Sequence, residues 1–293
     1  MIPAAFDYVR PSQVEEVFEA LEAQAAGEVS LLAGGQSLLS RLKLREARPS
    51  TVVDLGGVES LRRMDVSGGA IVIGAMVSQA EVLRHPFVCE HLSLLLQAGA
   101  AAGDPMIRNR GTLVGALCAA EVSGDWVAAV LALDAVVHIA GRGGVRHVPI
   151  SDFVRGPGAV ELAPAEFVTA VSIPAQSSAT KSLYRKRKHH GVGWSVVSLA
   201  LSLEMNDQGR CRQARVAISG AGTFPQRLPH LEEKLVGVEM ANLTQFARQQ
   251  EGALPDLEAR TDRWASGDYR ARMLDVLLRR ALLEIGGDTN LIT

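Results

Sequence analysis

Val29-Ser30-Leu31-Leu32-Ala33-Gly34-Gly35-Gln36-Ser37-Leu38 is the stretch on which the reading of this chain turns. An apolar run, Val29 to Leu32, leads into paired glycines, and an amphipathic stretch, Leu38 to Arg45, leads out. The pattern predicts a strand, a tight turn and the start of a helix. Adjacent glycines let the backbone approach a ligand closely. Successive N–H groups in such a turn can share one concavity and hold a phosphate. Ser37 can cap the helix or hydrogen-bond the phosphate itself. The six residues from Ala33 are equally compatible with an ordinary strand-to-helix turn closed by a serine cap.

A second segment runs Ile107-Arg108-Asn109-Arg110-Gly111-Thr112-Leu113-Val114-Gly115-Ala116-Leu117-Cys118-Ala119-Ala120-Glu121, with Asp125 close behind. It is another Gly/Thr turn followed by small residues. Two such turns can grip the two phosphates of one dinucleotide from opposite sides. In the Rossmann arrangement a single G-x-G-x-x-G loop does that work. That motif is absent, as are G-x-x-x-x-G-K-[ST], G-x-S-x-G and H-E-x-x-H.

Together the two segments resemble the FAD-binding, medium-sized subunit of the molybdenum hydroxylases, the xanthine dehydrogenase and carbon monoxide dehydrogenase family. Its members carry A-G-G-[HQ]-S-L and R-N-x-x-T-I-G-G-[NS] at corresponding places. Pro49 to Leu55, Leu131 to Ala135, Val148 to Phe153, Ala265 to Arg270 and Leu278 to Leu282 resemble further family segments in the same order. The resemblance implies an α+β chain. Residues 1–177 would form a FAD-binding domain of the vanillyl-alcohol-oxidase type, in subdomains of about 1–55 and 56–177. Residues 178–293 would form a smaller C-terminal domain with an antiparallel sheet and helices.

The resemblance also implies a cofactor, FAD, and a site. Ala33, Gly34, Gly35, Gln36, Ser37 and Leu38 would lie on one side of the diphosphate, and Thr112, Leu113, Val114, Gly115 and Ala116 on the other. Asp125 matches a carboxylate that bonds ribityl or ribose hydroxyls, although its position also suits a helix N-cap. Phe167 and Trp194 match residues beside the isoalloxazine ring, although core packing would explain either. The chain departs from the family at Val114, where glycine is usual, and at Ala116, where Asn or Ser is usual. Glu121-Val122 stands in place of Asp-Pro, and Gly193 in place of Asp. The implied partners are a large molybdopterin subunit and a small subunit with [2Fe–2S] clusters, arranged as a dimer of heterotrimers. Electrons would pass from the clusters through FAD to NAD, a quinone or oxygen. Gln36, where the carbon monoxide branch often has His, leans towards an aromatic, N-heterocyclic or aldehyde substrate. A stand-alone FAD-dependent oxidase or dehydrogenase on the same fold is one alternative. A non-catalytic assembly protein that has lost FAD is another.

Composition narrows the field independently. The 293 residues are 47% apolar, enough for a sizeable core, and the formal net charge is -2. That balance argues against nucleic acid as a main partner, because such binding rests on clustered cations. No apolar run reaches the ~20 residues of a membrane span, and the N-terminus lacks a signal-peptide pattern, so a cytoplasmic location is expected. Cys89, Cys118 and Cys211 are far apart and form no C-x-x-C, which argues against an iron–sulfur cluster held by this chain alone.

Periodicity predicts a helix over Pro11 to Ala26, with Ser12 and Glu15 as a capping box and Gly27 as its end. A strand at Ala70 to Gly74 follows the Gly68-Gly69 turn. Ser78 should cap a helix ending near Arg84, and further helices are expected over Leu92 to Ala102 and Asp125 to Leu133. Val136 to Ala140 and Val145 to Val148 read as a hairpin, and Val168 to Ile173 as the strand before a linker at Gln176 to Thr180. Beyond it, Ser195 to Glu204 and Cys211 to Ser219 alternate like strands. Helices follow, the last over Tyr269 to Ile285, and are expected to cover one face of the sheet. Tyr184-Arg185-Lys186-Arg187-Lys188-His189-His190, the most charged run, reads as a solvated strand and loop. A nucleic-acid patch and a surface near the flavin or a subunit interface are its other readings. Adjacent histidines on a strand face opposite ways, so His189-His190 makes a poor metal site.

Overall fold

The computed structural model describes residues 2–23, 28–189, 193–249 and 257–287. Its first sheet joins Asp7–Val9 (β1), Val29–Leu32 (β2) and Thr51–Asp54 (β3) in the order β1-β3-β2, all parallel. A parallel pair needs a crossover. Helix Leu38–Leu44 supplies it between β2 and β3. The first glycine turn therefore leaves the C-terminal end of a parallel strand, where α/β sheets commonly bind ligands.

The first helix is shorter than its periodicity suggests, Val14–Glu22, with Gln13 at its N-cap. The expected Ser12–Glu15 capping box does not form. Glu16, one residue later, accepts instead from the Ser12 N–H at 2.6 Å and from its hydroxyl at 3.1 Å. Residues Ala25 to Gly27, expected to finish this helix, lie outside the described residues.

The second sheet is antiparallel, in the order β4-β5-β10-β6-β7. Its strands are Met64–Ser67 (β4), Ala70–Gly74 (β5), Val136–Gly141 (β6), Gly144–Pro149 (β7) and Phe167–Pro174 (β10). A small hairpin, Val154–Gly156 (β8) with Ala159–Val160 (β9), lies between. Gly68 and Gly69 take the φ of +58° and +75° that the β4–β5 turn needs. Ser78 caps helix Gln79–Arg84 in a full capping box with Glu81. The second glycine segment is not a bare turn. Thr112 caps a helix over Leu113–Ala119, which sequence reading missed because Gly and β-branched residues dilute the helical signal.

The third sheet, β11-β12-β13-β14, comprises Thr180–Lys188 (β11), Ser195–Met205 (β12), Cys211–Ser219 (β13) and Gln226–Arg227 (β14). Here the expectation of helices on one face needs correcting. Leu199, Leu201 and Leu203 on β12 pack with Leu274, Leu278 and Leu282 of helix Gly267–Ile285. Ala200 and Ala217 belong instead to the core of the first two sheets, with Ala98 and Ala128 of helices Ser93–Ala101 and Asp125–Ala132. Small residues on that face let those helices approach. Strand β12 is buried on both faces, which is why its alternation is between large and small rather than apolar and polar.

The charged run is also less solvated than expected. Tyr184 is buried, Arg185 pairs with Glu284 of the last long helix, and Lys186 Nζ sits 2.7 Å from Asp125 Oδ2. Loss of one partner from such a buried pair leaves an uncompensated charge, so these cations are spoken for. His190, the second member of the His-His pair, lies outside the described residues.

Candidate functional site

The two glycine segments meet. A Cβ added at Gly34 would lie 2.2 Å from the Arg110 carbonyl oxygen and 2.6 Å from Gly111 Cα. Only glycine permits that approach, and Gly35 beside it holds φ +76°. Between the segments lies a cleft of about 370 Å³. Ala33, Gly34, Gly35, Gln36, Ser37 and Leu38 line one wall; Thr112, Val114, Gly115 and Ala116 line the other. Leu31, Leu55, Leu162 and Phe167 make the deeper surface apolar.

The donors in this cleft suit an anion. Among the described residues the N–H groups of Gly34, Gly35, Gln36 and Ser37 make no hydrogen bond, so four successive donors stand at one turn. Leu113 and Val114 open a helix, whose first N–H groups have no intrahelical partner. Thr112 Oγ1 takes the N–H of Gly115 at 2.9 Å and fixes that first turn. Among the described residues lining this cleft, Arg41 is the charged one, and it brings a cation beside these donors. This is the polar set a diphosphate requires, on an apolar floor that suits the rest of a dinucleotide.

Ser37 does not cap its helix through its side chain; its hydroxyl donates to Glu121 Oε1 at 2.9 Å. Ser37, Arg41 and Ala119 line a second groove as well, of about 450 Å³, so the cleft and the groove adjoin at these residues. Trp194, His189, Trp264 and Arg270 line this groove.

The chain matches the family described as "FAD binding domain in molybdopterin dehydrogenase" over residues 4–176, and "CO dehydrogenase flavoprotein C-terminal domain" over residues 182–285. It belongs to this flavoprotein family. Its cofactor is FAD, and the chain is the medium, FAD-carrying type of subunit of a molybdenum-hydroxylase oxidoreductase. It is 33% identical to the nicotine 6-hydroxylase medium subunit of Paenarthrobacter nicotinovorans, over 97% of this chain and 99% of that one. A solved carbon monoxide dehydrogenase from Hydrogenophaga pseudoflava superimposes with a TM-score of 0.90 at 29% identity, covering 98% and 99% of the two chains. Quinoline 2-oxidoreductase from Pseudomonas putida 86 gives 0.87 at 28% identity, covering 98% and 99%.

In this flavoprotein, not every residue expected at the cofactor reaches the cleft. Leu113 is fully buried and outside the cleft lining; it anchors the helix behind Thr112. Asp125 is also outside it. Its carboxylate accepts from Tyr184 Oη, from Ser195 Oγ at 2.6 Å and from Lys186 Nζ at 2.7 Å. Gly124, not Asp125, is the N-cap of its helix. Burial, and then the adjacent Asp125 charge, pushes the Tyr184 phenol well above its ordinary range, so it stays a proton donor. Phe167 lines the cleft between the glycine segments, whereas Trp194 lines the groove. Val114 is buried beside the cleft without disturbing its helix. Cys118 lines the cleft too, and burial raises its thiol to about 12, which leaves it inert.

Sequence reasoning missed Arg41, Glu121 as the partner of Ser37, and Trp264. Arg41 lies about one helical turn past Ser37, so its spacing could have found it. Trp264 is far away in sequence and carried no local signal.

Proposed function

We propose that this chain holds FAD across the two glycine segments and passes electrons from iron–sulfur clusters of a small partner subunit to an external acceptor. Residues 33–38 and 112–116 would bracket the diphosphate, with Thr112 setting the second turn and Phe167 on the apolar floor. Bound FAD supplies the redox chemistry; the protein binds it, orients it and excludes water from its diphosphate. The observation that carries this reading is the run of four N–H groups without a partner among the described residues, from Gly34 to Ser37, in a turn that shares one cleft with the start of a helix.

The partners would be a large molybdopterin subunit and a small [2Fe–2S] subunit, in a dimer of heterotrimers in the cytoplasm. NAD, a quinone or oxygen would take the electrons. Among the described residues no helix is long and apolar enough to cross a membrane, and no group of three or more His, Cys, Asp or Glu could hold a metal. We divide the chain near residue 177 into a FAD-binding part and a C-terminal part. Relatives named for nicotine and quinoline favour a nitrogen heterocycle as the substrate hydroxylated by the complex.

The test is an absorption spectrum of the purified protein, with the released cofactor identified by mass. FAD in about equimolar amount, and co-purification of two further subunits, is the expected result. A protein that stays colourless in excess FAD overturns the reading. A yellow protein without partners supports a stand-alone flavoenzyme instead.

A further inference from the structure

Trp194 and Trp264 are 57% and 36% exposed, although both rings line the same groove. One buried guanidinium ties down the segments that carry them. Arg270, only 2% exposed, donates from Nη1 to the Val196 carbonyl at 2.5 Å and the Gly220 carbonyl at 2.8 Å. Its Nη2 donates to Asp262 Oδ1 at 2.6 Å. The same oxygen accepts the N–H of Trp264 at 2.9 Å and of Ala265 at 3.1 Å, and Arg260 pairs with Oδ2 at 2.9 Å. Burial alone would raise the Asp262 carboxyl, but these N–H groups and Arg270 hold it below its ordinary value. The Trp264 ring is fixed in turn by Arg263 at 4.4 Å and by the edge-on His189 ring at 4.6 Å. The His189 N–H donates to the Trp194 carbonyl at 2.9 Å, which closes the circle.

Two half-exposed indoles held this firmly form a ready-made surface for a flat, conjugated ring. The groove adjoins the cleft between the glycine segments at Ser37, Arg41 and Ala119. A dinucleotide seated in that cleft has a planar group at each end. The apolar lining of the cleft is mostly aliphatic, with Val29, Leu31, Leu55 and Val160, and Phe167 is its one aromatic ring. The groove is aromatic and open, and carries both charges: Arg260 and Arg270 pair with Asp262, and Glu121 and Arg41 also line it. An end that exchanges electrons with other molecules needs such access, whereas the adenine end does not.

We propose that Trp264 is a second ring-contacting residue for the isoalloxazine of FAD, opposite or beside Trp194, so that the C-terminal part of the chain completes the cofactor site. This rests on the FAD reading above. The test compares wild-type, Trp264→Ala and Trp264→Phe proteins, stripped of cofactor and titrated with FAD and with ADP. The expected result is FAD binding about tenfold weaker in Trp264→Ala and within about twofold of wild type in Trp264→Phe. ADP affinity should be unchanged. Flavin emission from the bound cofactor should brighten in both variants, because a contacting indole quenches it. Unchanged FAD affinity and emission would overturn the proposal. So would a loss shared with ADP at unchanged emission, which would put adenine in the groove. If Trp264→Ala does not fold, the emission of Trp264→Phe decides alone. Wild-type protein that binds ADP and FAD equally weakly sinks the FAD reading itself, before any variant is compared.

Discussion

Gly34 and Gly115 both stand at the cleft, yet a side chain at each would meet different neighbours. At Gly34 a Cβ would strike backbone, 2.2 Å from the Arg110 oxygen. At Gly115 it would come 2.7 Å from Thr112 Oγ1, a side-chain atom, with the next neighbour, Ala33 Cβ, at 3.8 Å. Backbone cannot step aside without moving a whole segment, whereas a threonine hydroxyl can rotate at the cost of its capping bond. The first turn is thus fixed by main-chain contact and the second by a cap. Two of the departures from the family pattern, Val114 and Ala116, fall in the second turn, where a helix presents the N–H groups whatever side chains follow Thr112.

The largest effect should come from Gly34→Ala, which forces the two segments apart. A loss of about 3 kcal/mol or more in urea unfolding is expected, with no FAD retained. A loss below about 1 kcal/mol would erase the contrast between the turns. Val114→Gly, which restores the family's glycine, should cost about 2 kcal/mol through lost burial and helix propensity. Its FAD affinity should stay within about twofold of wild type by titration; a large gain would mean that the Val114 side chain does hinder backbone approach. Thr112→Ala should cost about 1 kcal/mol by the same unfolding assay and weaken FAD binding modestly, since only one capping bond is lost. The smallest effect concerns Cys118. With its thiol raised to about 12, alkylation at pH 8 should label exposed Cys89 and leave Cys118 unmodified in mass spectra. Labelling of Cys118 in the folded protein would show that its thiol ionises readily in the cleft that it lines.

Much of this contrast was legible in the sequence. The first glycine turn, the strand before it and the Ser78 cap are local patterns, and they stand where the residues put them. The fold class came from several such patterns in family order. What was not legible depends on contacts between distant residues. Asp125 is taken up by Tyr184, Ser195 and Lys186, some sixty to seventy positions away. The charged run looked solvated because nothing local announces that Glu284 and Asp125 will neutralise it. The double burial of β12 depends on which helices come to rest on it. Trp264 belongs in the same class, since only the Arg270 clamp brings its segment beside Trp194.

That double burial of β12 limits how this protein can be rearranged. A chimera that joined residues 1–177 to the C-terminal part of a relative would set foreign side chains against Ala98 and Ala128, where even one added methyl group has little room. Recombination at the linker therefore exchanges half of an interface rather than a module. Parts from different relatives should combine only when the small-residue face of the strand and the helices that rest on it travel together.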